Sequence, residues 1–356
     1  MNSVAKTFLE LVAINSVSRH EEAIGKNLFE RLQKLGLSTE QDEAGNLFAY
    51  LAGEGETIML NAHMDTVPPA ENAKVIVSQG IIKTDNTTAL GADDKAALAA
   101  ILTVLERIRE NDIAHPNLLI VCTVSEEISL VGASQIDMDK LSKVTYGYTF
   151  DASGPLGTCI TAGPGHDKIQ ATFKGKASHA GFSPELGISA IQMGAEAIAC
   201  MHLLKIDSET TANVGSFLAP GCTNIVNDTA YLAFEARSLN AQKLEQQTNH
   251  MISCLQKAAD TYGGTVDIQL DHMYGSYSVP TDAPVFQYLR DTIKKIGLPY
   301  REQPTLGGSD ANIFNQKGLP TVVCSIGYKN PHTLYEEISL EDLDKLEQLV
   351  FGLATR

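Results

Sequence analysis

The pattern of apolar positions divides the chain into two textures. Residues 4–14 and 21–35 carry apolar side chains such as Leu9, Val12, Leu28 and Leu32 at helical spacing. Apolar runs at 46–51 and 57–61 read as strands, Gly91 marks a turn, and the alanine- and leucine-rich stretch 94–109 reads as a long helix. Further strands at 118–124 and 146–151 complete an alternation of strand and helix, which favours a largely parallel sheet covered by helices. Near residue 165 the texture changes. A strand at 168–174, a helix at 186–204, strands at 213–218 and 229–237, a helix at 241–259 and a strand at 265–271 follow the β-α-β-β-α-β order of a ferredoxin-like sandwich. Helix 282–297, strand 320–325 and helix 339–354 then restore the first texture. The expected architecture is α/β, a mostly parallel sheet domain formed by residues 1–166 and 281–356. A smaller α+β ferredoxin-like domain, residues 167–280, is inserted into it.

Composition narrows the function classes. A chain of 356 residues is too long for one comfortable core, and 44% apolar content without low-complexity tracts implies that all of it folds. The 43 acidic against 27 basic residues give a net charge of −16, which argues against nucleic acid or an anionic membrane as partner. The six cysteines are scattered without CxxC spacing and read as reduced thiols. Met1 to Lys6 lacks the apolar core of a signal peptide, and no apolar stretch has the length of a membrane span. A soluble cytoplasmic protein is the expectation.

Four carboxylates and two histidines stand just past the strand-like runs. His63-Met64-Asp65 follows Ile58-Met59-Leu60; Glu126-Glu127 follows the run at 118–124; Asp151 closes Tyr146 to Phe150; His332 follows Thr321 to Cys324. Ligands drawn from the carboxyl ends of several strands are how an open α/β sheet builds a site. Each has a plainer reading. A lone His-x-Asp is commonly a surface pair, and Ser125-Glu126-Glu127 alone fits a solvated loop as well as a site. An aspartate at the start of a helix complements its dipole, which explains one of Asp93 and Asp94 more easily than both. A carboxylate of this pair, with its two oxygens, can instead bridge two metal ions about 3.5–4 Å apart.

Taken together, His63-Met64-Asp65-Thr66-Val67, Gly91-Ala92-Asp93-Asp94-Lys95, Glu126-Glu127, Phe150-Asp151, Ala177-Ser178-His179-Ala180-Gly181 and Pro331-His332 span nearly the whole chain. In these stretches it resembles the M20 metallopeptidases, especially the peptidase T-like (tripeptide aminopeptidase) branch. The resemblance implies two zinc ions, one held by His63 and Asp151 and the other by Glu127 and His332, with Asp93 bridging and the Asp93–Asp94 peptide cis. It implies that Asp65 orients His63, that Glu126 is general base and acid, and that the ions polarise the scissile carbonyl and acidify a water between them. The inserted domain becomes a lid or dimerisation domain, and the protein a homodimer through it. His179, otherwise a residue of a turn, would reach a catalytic centre, that of the partner subunit in dimeric relatives. Asn224 and Arg237 match substrate-contacting lid positions; Arg237 is equally a surface arginine at a strand end, though its planar fork suits a peptide carboxylate. Gly307-Gly308-Ser309-Asp310 resembles the family's substrate-side loop.

The function this implies is a di-zinc aminopeptidase that removes the N-terminal residue of short peptides such as tripeptides. Aspartate at position 151 favours it over carboxypeptidase and acylase relatives, which tend to carry glutamate there. The alternatives are an amidohydrolase or deacylase of N-acyl or N-carbamoyl amino acids on the same centre, and a non-catalytic peptide-binding homologue. Zinc, cobalt and manganese all remain open as the metal.

Overall fold

The strand expected at 57–61 runs from Thr57 to His63 and is buried from Ile58 onward. It lies inside an eight-stranded sheet of the computed structural model, which describes residues 2–355. Across that sheet the order is Ser38–Gln41, Leu47–Leu51, Asn117–Thr123, Thr57–His63, Val144–Ala152, Thr321–Ser325, Thr158–Ile160 and Arg301–Gln303. The four strands from Asn117–Thr123 to Thr321–Ser325 are mutually parallel, and both their faces are covered, which is why their sequences read as continuous apolar runs. One face carries the helix Ala92–Glu110, buried along most of its length between the sheet and the helices Ser3–Val12 and Leu340–Ala354. On the other, Phe48, Met59, Leu119 and Val121 pack with Ile136, Leu141, Phe314 and Leu319. The sheet is the α/β layer expected, with antiparallel strands towards its edges.

The chain forms two compact units, Met1–Ala162 with Ser278–Arg356, and Gly163–Tyr277. In the second, antiparallel strands run in the order Leu204–Lys205, Thr210–Leu218, Thr229–Ser238, Gly165–Lys174 and Thr265–Tyr274. The helices Ala190–Cys200 and Ala241–Tyr262 cover one face, closing a core that includes Phe173, Met193, Leu232, Phe234, Met251 and Leu255. Gly165–Lys174 and Thr229–Ser238 alternate buried and open positions, as strands with one covered face must.

Three local features depart from the expectation. The helix read at 186–204 is a single turn, Pro184–Leu186, then a helix Ala190–Cys200 capped by the Ser189 side chain. A three-stranded sheet of Val75–Ser78, Ile81–Thr84 and Glu337–Ser339 was not legible, because its strands are short and half-exposed and its third member lies far along the chain. Gly307-Gly308-Ser309-Asp310 is not only a loop: Ser309 caps a helix, Asp310–Gln316, through a capping box with Asn312. Among the described residues no helix is long and apolar enough to cross a membrane.

Candidate metal centre

Parallel strands bring their carboxyl ends to one edge, and register sets the level of each donor there. His63 ends its strand opposite Thr123, three residues before Glu126; Asn61 pairs with Thr149, two residues before Asp151. Asp93 arrives on the turn into the long helix, where Gly91 has φ +72° and Asp93 and Asp94 lie outside helical backbone geometry. The Asp93–Asp94 peptide is cis. His332 comes from the loop after Thr321–Ser325, at φ +60°.

These elements bring His63, Asp93, Glu126, Glu127, Asp151 and His332 together. Asp93 divides its carboxylate between two imidazoles: Oδ1 is 3.1 Å from His63 Nε2, and Oδ2 is 3.3 Å from His332 Nε2. Asp151 Oδ1 lies 3.7 Å from His63 Nε2, and Glu127 Oε1 3.0 Å from His332 Nε2. Two groups of donors, His63 with Asp93 and Glu127, and His63 with Glu126 and Asp151, each present atoms within 4.8 Å of one another. Glu127 Oε1 is buried with no hydrogen-bond partner, although His332 stands beside it. Buried imidazole and carboxylate atoms this close together suit a divalent transition metal.

The electrostatics say the same. Burial, opposed by a hydrogen bond to His63, pushes Asp151 up to about 7. Burial, reinforced by the charge of Asp151, holds Glu126 well above the usual carboxylate range, and burial raises Glu127 too. Asp93 goes the other way: burial would raise it, but hydrogen bonds from His332 and His63 hold it below its ordinary value. His332 is pushed up to about 10 by its close contacts with the Asp93 and Glu127 carboxylates. Burial works against a charged His63, yet the contacts of Asp151, Asp65 and Asp93 hold it well above the ordinary value. A site with this much buried carboxylate keeps protons to limit its charge, and a divalent cation displaces them.

Around the donors lies a second layer, much of it not foreseen. His63 Nδ1 is 2.9 Å from the backbone carbonyl of Asp65 and 3.4 Å from its carboxylate. That carboxylate accepts the backbone N–H groups of Glu126 and Glu127 and the Ser18 hydroxyl. Glu21 accepts the Ser125 N–H and hydroxyl. Below the strand ends, Asp310 accepts from the Thr123 hydroxyl, and Thr149 donates to Asn61. Burial pushes Asp310 up to about 6. Glu336 accepts three backbone N–H groups from the turn that carries Asp93. Asp65 and Asp310 stand in stretches that the sequence resemblance singled out; for Ser18, Glu21 and Glu336 no local pattern names a partner.

His179, Asn224 and Arg237 all lie in the second unit. His179 is exposed, its Nδ1 accepting from the backbone N–H groups of Gly181 and Phe182. Asn224 is beside it, its carbonyl accepting from Ala180 N–H at 2.9 Å. Arg237 is elsewhere, opposite His166 at the far end of its strand and 3.1 Å from Glu235.

Residues 59–356 match the profile described as peptidase family M20/M25/M40. The chain belongs to that family. The M20 sequence is 39% identical over 356 residues to the uncharacterized protein YqjE of Bacillus subtilis strain 168, covering 97% of this chain and 96% of that protein. Two solved structures are each 36% identical and cover 99% of this chain and 97% of theirs. They are a tripeptidase from Staphylococcus aureus subsp. aureus Mu50, with a TM-score of 0.94, and the aminopeptidase PepT from Bacillus cereus ATCC 10987, with a TM-score of 0.88. This places the chain among peptidase T-like M20 proteins and makes it a hydrolase of the metallo-exopeptidase kind.

Proposed function

We propose that this protein is an aminopeptidase that removes the N-terminal residue of short peptides, tripeptides among them, with two divalent ions, zinc in the first instance. The observation that carries the reading is the Asp93 carboxylate, split between His63 and His332, with Glu126 buried beside His63 and Asp151. His63 and Asp151 would hold one ion and Glu127 and His332 the other, with Asp93 between them. When bound, the ions supply electrophilic activation of the scissile carbonyl and of the attacking water. Glu126, fixed through its backbone by Asp65, takes the proton from that water and delivers it to the leaving amine. A protonated Glu126 at the start of the cycle would be useless as a base; bound cations lower its proton affinity and restore the carboxylate.

The second unit contributes substrate contacts. His179 donates to the developing oxyanion with Asn224 beside it, and Arg237 pairs with the peptide carboxylate. The backbone bonds Gly175 N–H to Asp228 O, Val226 N–H to Ser178 O and Ala180 N–H to Asn224 O carry the antiparallel pairing beyond Lys174 and Thr229. His179 and Asn224 thus lie past the Thr229 end of the strand, and Arg237 near its other end, about 26 Å away at ~3.3 Å per residue. That separation supports contributions to one site from the second units of two copies. The strand Thr210–Leu218 supports the dimer: Leu204–Lys205 covers only its first residues, and exposed Phe217 and Leu218 follow along an open edge.

The test is hydrolysis by zinc-loaded protein of a dipeptide, a tripeptide, the N-acetylated tripeptide and an N-acyl amino acid, with Glu126→Ala alongside. Cleavage of the free-amine peptides alone, lost in the variant, is expected. Turnover only of acylated substrates would make it an amidohydrolase; full turnover by Glu126→Ala would remove the base.

A further inference from the structure

The long helix that delivers Asp93 begins without a local cap. Its N-cap residue is Gly91, which has no side chain to accept the first N–H groups, and orphan donors at a buried helix start are costly. The acceptor comes from more than 240 residues along the chain. Glu336 Oε2 accepts Leu90 N–H at 2.9 Å and Gly91 N–H at 2.8 Å, and Oε1 accepts Asp93 N–H at 3.1 Å. Glu336 is 1% exposed, so these bonds meet no competition from water. A carboxylate at a helix N-terminus also complements the dipole.

Glu336 also belongs to the loop that presents His332. That loop is the less restrained half of the centre: His332 has half its side chain exposed, whereas His63, Asp93, Asp151 and Glu127 are each 8% exposed or less. It is closed by Glu336 N–H to Thr333 O, by the Thr333 hydroxyl to Asn330 O and by the pairing of Lys329 with Glu337. One side chain therefore sets the height of the Asp93 turn and ties the His332 loop to it.

We propose that Glu336 is the positioning residue of the metal centre, holding Asp93 and His332 at the mutual distance at which one carboxylate serves both imidazoles. The inference rests on the reading of these residues as a metal centre. Glu336 touches neither substrate nor reacting atoms; it acts through Asp93. Glutamine cannot replace it, because its amide would set a donor against the backbone donors.

The experiment is a zinc titration, read as bound equivalents and apparent affinity by equilibrium dialysis, on wild type, Glu336→Gln, Glu336→Asp and the neighbouring Glu337→Gln. Circular dichroism of the metal-free proteins checks the fold. Glu336→Gln is expected to bind roughly 10- to 100-fold more weakly with its fold intact, as loss of a partner behind a metal ligand ordinarily does. Glu336→Asp, which keeps the charge but withdraws it by one methylene, is expected to weaken binding as well, and it stands in if the glutamine variant does not fold. Glu337→Gln is expected to match wild type. Wild-type affinity in a folded Glu336→Gln or Glu336→Asp would overturn the assignment alone. A wild-type protein that takes up no zinc would overturn the metal reading and this inference with it.

Discussion

Asp65 holds Glu126 by its backbone: Asp65 Oδ1 accepts the Glu126 N–H at 2.9 Å, and Oδ2 accepts the Glu127 N–H at 3.2 Å. The same carboxylate is 3.4 Å from His63 Nδ1 and accepts the Ser18 hydroxyl at 2.7 Å. One fully buried side chain thus ties the His63 strand end to both glutamates, and charged acceptors make such bonds strong.

Asp65→Asn is expected to uncouple them. The amide has one acceptor oxygen for three donors and turns an N–H₂ group towards a backbone N–H. A loss of kcat of roughly 10- to 100-fold with KM little changed is the expectation, measured on the tripeptide alongside metal content. Unchanged kcat would show that Glu126 does not depend on this tie.

Stability of the metal-free protein is expected to fall as pH rises. Asp151, at about 7 in the folded protein against 3.8 ordinarily, binds its proton more tightly when folded; the stabilisation is complete below 3.8 and is lost as pH rises through about 7. His332, at about 10 against 6.5, contributes below 6.5 and loses it as pH rises through about 10. Asp93, held below 3.8, has the opposite sign, and its contribution is lost only on acidification. In chelator the Tm should therefore decline between about pH 5 and about pH 9, and the gain in Tm on adding zinc should grow over that window. A flat profile in chelator would contradict this arrangement of charges.

Gly132→Ala is expected to disturb Glu126 from outside the site. A Cβ at residue 132 would stand 2.2 Å from Val124 O and 2.5 Å from Asn46 Oδ1. Neither can yield cheaply, since Asn46 accepts Val124 N–H and donates to Gly132 O. The strand end must shift two residues before Glu126, at a cost of about 1–3 kcal/mol. Denaturant unfolding and kcat should both fall; a variant of wild-type stability would mean that the loop moves freely.

Subunit mixing tests the proposed dimer and the proposed division of the second unit's residues between its copies. His179→Ala and Glu126→Ala homodimers should each be nearly inactive. Unfolded and refolded together in equal amounts, half the dimers are mixed and each has one intact site, so about a quarter of wild-type activity should return. No recovery, with mixed dimers confirmed by tagged pull-down, would place His179 in the site of its own chain.

Much of this protein was legible along the chain because the deciding physics is local. A continuous apolar run marks the strand Thr57–His63, since a strand covered on both faces demands it, and an alanine- and leucine-rich stretch marks the helix Ala92–Glu110, buried along most of its length. The candidate site residues His63, Glu126, Glu127 and Asp151 were legible as a group because they follow strand runs, and parallel strands bring those ends to one edge. Tertiary structure alone decided what holds them. Glu336 finds Asp93 across 243 positions, Asp310 finds Thr123 across 187 and Glu21 finds Ser125 across 104. No periodicity encodes such pairings: a buried carboxylate takes whichever N–H and O–H donors the packed sheet and helices leave unsatisfied beside it, and those are known only once the layers have closed.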